Sequence, residues 1–512
     1  MEKTGRAIII QLLCWGIAIP FIFPMTALLT RYLGPVQYGE YSFTLSFLAV
    51  FALFSGTGMD PLIIRQLSRQ KREEWSKTLS YAAGTRLLST ILSIGAAVLL
   101  LLMLPVSPEQ RNLLLLGSAS LLFSFSFNGL RMIYSHGFRA EQQVGALSLL
   151  ETTNRVVTAG LVALIVLFHF SLLWACILII YSDLPFFFIL VMMAQRRFGM
   201  RVRFSLSRVR EHLLGSLPLM GYNALTLIAA QADLLILMAL AGPLSVGIYA
   251  LAGRITNPLL SVALAYVIGL YPLLCRKFEE GHEQFAVVYR EAMRVLALCI
   301  IPLAIFVSAE ANILVALLGG QHFTAAAIAV QLLMWAMVVV FFSQLAVRTC
   351  MAANMERLIP YVTAASAALN ILANLILIPH WQIVGAGVAA LLSELVGLCL
   401  FTVLLRRHVR LLSTMNMLLR VFLANLPALA FLLWQQHASL LLTAPIALVL
   451  TIIGYFATRT LSLKDIHIGM RILYTWRDKG TSKDMNDQPA AILRQSQDTA
   501  NGSTTMLPRV QV

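Results

Sequence analysis

A small set of polar and ionisable residues stands inside long apolar runs of this chain, and their chemistry is the first thing to explain. An ionised side chain at the centre of a bilayer costs about 2.5–3.5 kcal/mol on insertion scales, so it faces a cavity, a partner or an ion. Asp183 and Glu394 each lie near the middle of a run and are 211 residues apart. Carboxyls so placed can exchange a proton or a cation along a pathway, or simply hydrogen-bond a neighbouring helix. Arg131 and Arg155 sit toward one end of their runs. A guanidinium is a planar fork that grips oxyanions even when partly desolvated; the bland alternative is snorkelling to the lipid surface, which is the expectation for Arg86 and Arg348. Asn370 and Asn374, four apart, share one helical face and suit hydrogen bonds between helices. Asp233 and Arg254 fall in adjacent runs at depths that differ by about one turn. An ion pair between them is therefore available, in which Arg254 either neutralises Asp233 or enters a cavity with Asp233 orienting it.

The elements that position these residues follow from composition. Of 512 residues, 59% are hydrophobic and 12% charged, against about 25% charged in soluble domains. A spanning helix needs roughly 20 mostly apolar residues, and such runs recur from 7–30 to 439–458. The expectation is an all-α integral membrane protein of about fourteen spans. The first run is too long for a signal-peptide core and is read as a span. The net charge of +15 is spread among short connections, with no compact basic domain for nucleic acid. The six cysteines show no ligand spacing, so neither a metal nor a cofactor is expected.

The basic residues alternate from one side to the other. One set of connections holds five Lys and Arg between Arg65 and Lys77, and six between Arg196 and Arg210; the opposite set holds only Arg31 and Arg111. The positive-inside rule makes the first set cytoplasmic and puts both termini on that side of a bacterial inner membrane.

The segment LGPVQYGEY, with Gly34, Pro35, Gly39 and Tyr41, is echoed 208 residues later by AGPLSVGIY, with Gly242, Pro243, Gly247 and Tyr249. Later spans keep that offset, so the chain divides into two pseudo-symmetric six-helix lobes. The expected boundaries are 1–205 and 206–410 for the lobes, 411–458 for two additional helices, and 459–512 for a cytoplasmic tail. In the tail, Ile466, Met470, Leu473 and Trp476 suggest an interfacial helix before a disordered end.

The stretches TRYLGPVQYGEYSFTLSF, GTGMDPLIIRQLSR, QADLLILMALAGPLSVGIYALAGRI and LNILANLILIPHWQIVGAGVAALLSE resemble the polysaccharide-transporter, or oligosaccharide flippase, family of the multidrug/oligosaccharidyl-lipid/polysaccharide exporter superfamily. The resemblance implies a non-enzymatic protein that moves a polyprenyl-pyrophosphate-linked glycan between leaflets by alternating access. Arg254, Arg131 and Arg155, with Asp233 as a partner, would then meet the pyrophosphate, and Asp183 and Glu394 would couple an ion. Glycan polymerase and chain-length machinery are the implied protein partners. A cation-coupled drug exporter and a murein-precursor flippase are the rival readings within the superfamily. A membrane glycosyltransferase would need an extramembrane loop or acidic metal motif that is not visible here.

Overall fold

The computed structural model of the chain describes residues 2–55, 58–103, 106–124, 129–141, 143–409, 411–435, 440–458 and 460. The expected interfacial helix and the tail after it lie outside the described residues. Among the described residues the structure is helical without strands. In order the helices are α1 (Glu2–Phe54), α2 (Met59–Arg69), α3 (Arg72–Met103), α4 (Pro108–Ser118), α5 (Leu130–Ala140), α6 (Val144–Leu167), α7 (Leu172–Tyr181), α8 (Asp183–Phe198), α9 (Leu206–Thr256), α10 (Pro258–Glu280), α11 (His282–Ala309), α12 (Ala311–Gly319), α13 (Ala326–Ala352), α14 (Ile359–Leu405), α15 (Leu411–Ala424), α16 (Leu426–Trp434) and α17 (Leu440–Ala457).

Three of these are too long for one crossing: α1, α9 and α14 have 53, 51 and 47 residues. Each carries one residue off helical geometry, at Gly34 (φ 69°), Gly242 (φ 78°) and Gln382 (φ 45°). Each is therefore two crossings joined by a one-residue break, and the loops expected there contract almost to nothing. Gly34 and Gly242 are repeat partners, and a positive φ is what glycine tolerates at no steric cost. The fourth crossing is instead interrupted between α4 and α5, whereas the sixth runs from α7 into α8 through Ser182, which keeps helical dihedrals (φ −56°, ψ −27°). With these joined, the chain makes about fourteen crossings in two six-helix lobes, followed by an appended pair built from α15, α16 and α17.

The lobes meet where the repeated segments face each other. A Cβ on Gly39 would stand 1.8 Å from the Pro243 carbonyl oxygen, and one on Gly247 would stand 1.9 Å from the Pro35 carbonyl oxygen. The contact is reciprocal, as an internal twofold requires, and it leaves no room for a side chain on either helix.

A second apolar cluster, with Met59, Leu79, Ile133 and Leu190, packs α2, α3, α5 and α8 together. Close to it, Arg86 is fully buried and donates to Asp60 at 2.6 Å, and His136 Nε2 lies 2.9 Å from the same oxygen. The expectation that Arg86 snorkels is thus corrected: its carboxylate partner, on the preceding helix α2, holds it inside.

Candidate functional site

The fourth and sixth crossings place polar groups at membrane depth. Irregular backbone is tolerated there where it borders a cavity. The fourth crossing unwinds through a 3-10 turn ending at Leu122, close to Ser124; the sixth continues into α8 at Asp183. Ser124 Oγ donates to Asp183 Oδ2 at 2.7 Å, and Asn154 Nδ2, from α6, donates to Oδ1 at 2.5 Å. The interrupted fourth crossing and α6 thus meet the sixth crossing at one carboxylate.

That carboxylate borders a cavity of about 630 Å³. Arg131, Arg155 and Arg254 all line it, together with Glu151, Tyr38 and Tyr41. Arg131 is 4% exposed and donates to Glu151 Oε1 at 3.2 Å. Arg155 follows Glu151 by four residues on α6, so both point the same way. Arg254 comes from the other lobe. Its side chain is open to the cavity although protein surrounds it, and Tyr38 and Tyr41 line the same space. Three permanent cations, from α5, α6 and α9, therefore share one space with two carboxylates. Forked donors in a partly dehydrated space suit an oxyanion such as a phosphate.

Asp233, the fourth residue expected at this site, is elsewhere. It accepts from Tyr249 at 2.8 Å, from Asn374 at 2.7 Å and from Asn370 at 3.2 Å. Among the described residues no ion pair joins it to Arg254, which corrects the expected pairing. The physical reason is helical phase: Tyr249 and Arg254 are five residues apart, about 140° around one helix. With Tyr249 turned toward Asp233, Arg254 faces away from it.

The two carboxyls expected to act as repeat partners are not brought together. Asp183 belongs to the cavity just described, whereas Glu394, half-buried on α14, is not among the residues that line it. Asn370 and Asn374 do share a face: Asn374 Nδ2 donates to Asn370 Oδ1 at 3.1 Å, and both tie α14 to α9 through Asp233. Asn374 Oδ1 is buried and has no hydrogen-bond partner among the described residues. No group of three His, Cys, Asp or Glu residues with metal-site geometry occurs among the described residues.

Sequence reasoning missed Tyr38, Ser124, Glu151 and Asn154. Tyr38 falls inside the repeated segment, three residues before Tyr41, and helical spacing puts it on the face that carries Tyr41. Ser124 opens the sequence SFSFNG, whose polar–aromatic alternation ending in Gly129 departs from a helical apolar period and was the available signal.

Comparison with known proteins follows from this geometry. A family model described as polysaccharide biosynthesis protein matches residues 5–278. Among solved structures, the lipid II flippase MurJ in an inward closed conformation superposes with a TM-score of 0.73 at 14% identity, over 90% of this chain and 99% of that one. An inward-facing multidrug resistance MATE family transporter of the MOP superfamily gives 0.57 at 14%, over 78% and 98%. A MOP superfamily transporter from Pyrococcus furiosus, whose binding pocket is described as reversed in polarity, gives 0.55 at 16%, over 79% and 95%. No curated protein matches the chain. At such identities the likeness is one of fold. With the family match covering more than half of its length, the chain belongs to the polysaccharide biosynthesis protein family, the polysaccharide-transporter branch that its hairpin segments resemble, and is a multi-pass membrane protein with the fold of the MOP superfamily.

Proposed function

We propose that the protein is a flippase that moves a polyprenyl-pyrophosphate-linked oligosaccharide across a bacterial inner membrane, for surface or exopolysaccharide assembly including O-antigen. The observation that carries this reading is the convergence of Arg131, Arg155 and Arg254 on one cavity walled by both lobes. A pyrophosphate presents several oxyanions at once, and forks from three helices meet them from different directions. Both lobes contribute cations, so a relative rotation of the lobes re-aims the site, as alternating access requires. The lobes divide near 205/206 and the appended helices begin near 411. Both termini are cytoplasmic, and glycan polymerase and chain-length proteins receive the product. The site translocates and catalyses no bond change.

Coupling is assigned to the carboxylates. Asp233 is held by three neutral donors, the Tyr249 hydroxyl and the Asn370 and Asn374 amides, with no cationic partner among the described residues. Such an intramembrane carboxylate needs a proton or a cation to balance it. Glu394 belongs with it, and Asp183 serves the cavity lobe.

A second reading is a murein-precursor flippase, whose lipid also bears a pyrophosphate; the match over 99% of a lipid II flippase chain favours it. A drug exporter that takes cations fits the basic cavity poorly. The test is genetic. Deletion leaves lipid-linked oligosaccharide on the cytoplasmic face and reduces a surface glycan, whereas rescue of a strain depleted of its lipid II flippase would favour the murein reading. Normal glycan in a deletion strain with no related gene would overturn the proposal. Impermeant labelling of a Ser205→Cys variant from outside intact spheroplasts would overturn the orientation.

A further inference from the structure

A second cavity, of about 500 Å³, opens between α11 and α15, with Thr460 after α17 at its rim. It is separate from the arginine cavity between the lobes. Arg290, Arg294 and Arg420 line it against a single acid, Glu291, together with Ser413 and Asn416. Glu291 is committed chiefly to Arg294, at 2.9 Å, and lies 3.7 Å from Arg290. Arg290 also donates to Ser413 at 3.1 Å, which ties the C-terminal lobe to the appended helices. Arg420 has no acidic partner among the described residues. The pocket thus keeps a surplus of two positive charges that no change of pH removes, since guanidinium stays protonated.

Depth identifies what meets this charge. α11 has 28 residues, about 42 Å of helix, against a hydrocarbon core of about 30 Å. Its first turns therefore reach the headgroup layer, and Arg290 and Arg294 sit about 12 and 18 Å from its start. Ser413 and Asn416 lie in the first two turns of α15, whose N-terminal dipole adds to the positive field. Beside the pocket, Met415 and Leu419 are 66% and 55% exposed, an apolar strip against which acyl chains can lie. The chain's own tail is a poor occupant: residues 461–512 carry seven Lys and Arg against five Asp, so they repel the pocket.

We infer that this pocket binds the phosphate of an anionic phospholipid headgroup, holding a lipid between the C-terminal lobe and the appended helices. The inference uses the proposed orientation only to name the cytoplasmic leaflet, and it is independent of the transported glycan.

The test is lipid retention by the purified full-length protein, read by native mass spectrometry after delipidation and addition of phosphatidylglycerol or phosphatidylcholine. The wild type is expected to retain phosphatidylglycerol and to discriminate against phosphatidylcholine. At about fivefold per basic residue near a headgroup, the double variant Arg290→Gln/Arg420→Gln should bind it about thirtyfold more weakly. Glu291→Gln, which raises the surplus charge, should bind it more tightly and covers the case in which the double variant fails to fold. Arg254→Gln should bind it as the wild type does, so a failed transport reading remains distinguishable from a failed lipid site. Equal retention of both lipids, unchanged binding in a folded double variant, or weaker binding in Glu291→Gln would each overturn the inference. Displacement by inorganic phosphate at equal concentration would make the ligand a free phosphate and overturn the lipid assignment.

Discussion

Gly39 and Gly247, related by the internal repeat, each lie against the backbone of the other lobe, Gly39 on Pro243 and Gly247 on Pro35. Helices in a bilayer have little hydrophobic drive toward each other, and small residues that let backbones touch supply the packing instead. This reciprocal contact seals one end of the lobe interface, the end to which the one-residue breaks at Gly34 and Gly242 belong.

Gly39→Ala is expected to open that seal. The added methyl meets backbone, which does not rotate away, and overpacking of this kind costs about 1–3 kcal/mol. Cysteine accessibility near Pro35 should rise and glycan export should fall, with Gly247→Ala behaving alike. Wild-type accessibility and export in both variants would show that the contact is not needed for closure.

Arg254→Ala is expected to abolish export with protein level retained, and Arg254→Lys to restore it only in part because the fork is lost. Adding Asp233→Ala should give no rescue, because Asp233 bonds to Tyr249, Asn370 and Asn374. Full export by a well-expressed double variant would remove Arg254 from the substrate site.

Asp60→Ala should destabilise the cluster formed with Arg86 and His136. Removing one partner of a buried ion pair costs about 3–5 kcal/mol, read as a lower melting temperature in detergent. Adding Arg86→Met should recover much of the loss, since paired apolar replacement of a buried ion pair is often nearly neutral.

A pH effect is expected on the connection after α14. His408 stacks near Phe278 and His282, at ring separations of 5.7 and 5.0 Å. Burial, with the positive influence of His282 and Arg407, holds its imidazole below the usual 6.5. The unfolded chain then binds the proton more readily, so this contribution to stability is complete above about pH 6.5 and is lost as pH falls further. His408→Gln should flatten the fall in melting temperature between about pH 7 and 5.5. An unchanged slope would assign that fall to other groups.

Much of the architecture was legible because its signals are local. Apolar runs mark crossings, and the GPxxxGxY echo marks the lobes. Arg131, Arg155 and Arg254 stand out as charges in hydrocarbon, and the structure brings them together. What was misread depends on direction around a helix and on contacts far apart in sequence. Depth alone made Asp233 and Arg254 look like partners; the five-residue step from Tyr249 to Arg254 turns them apart. A common repeat offset made Asp183 and Glu394 look equivalent, yet their neighbours come from different sets of helices. Arg86 was misplaced because Asp60 reaches it from α2, itself held by His136 from α5, helices whose approach no local pattern announces.

The cavity between the lobes is unequally shared: Arg131 and Arg155 belong to one lobe and Arg254 to the other. Two of its cations are stationary with respect to each other, and the third travels with the opposite half. Any change in the angle between the lobes therefore alters the depth of the electrostatic well felt by a bound anion, without a side chain having to change its protonation or its rotamer.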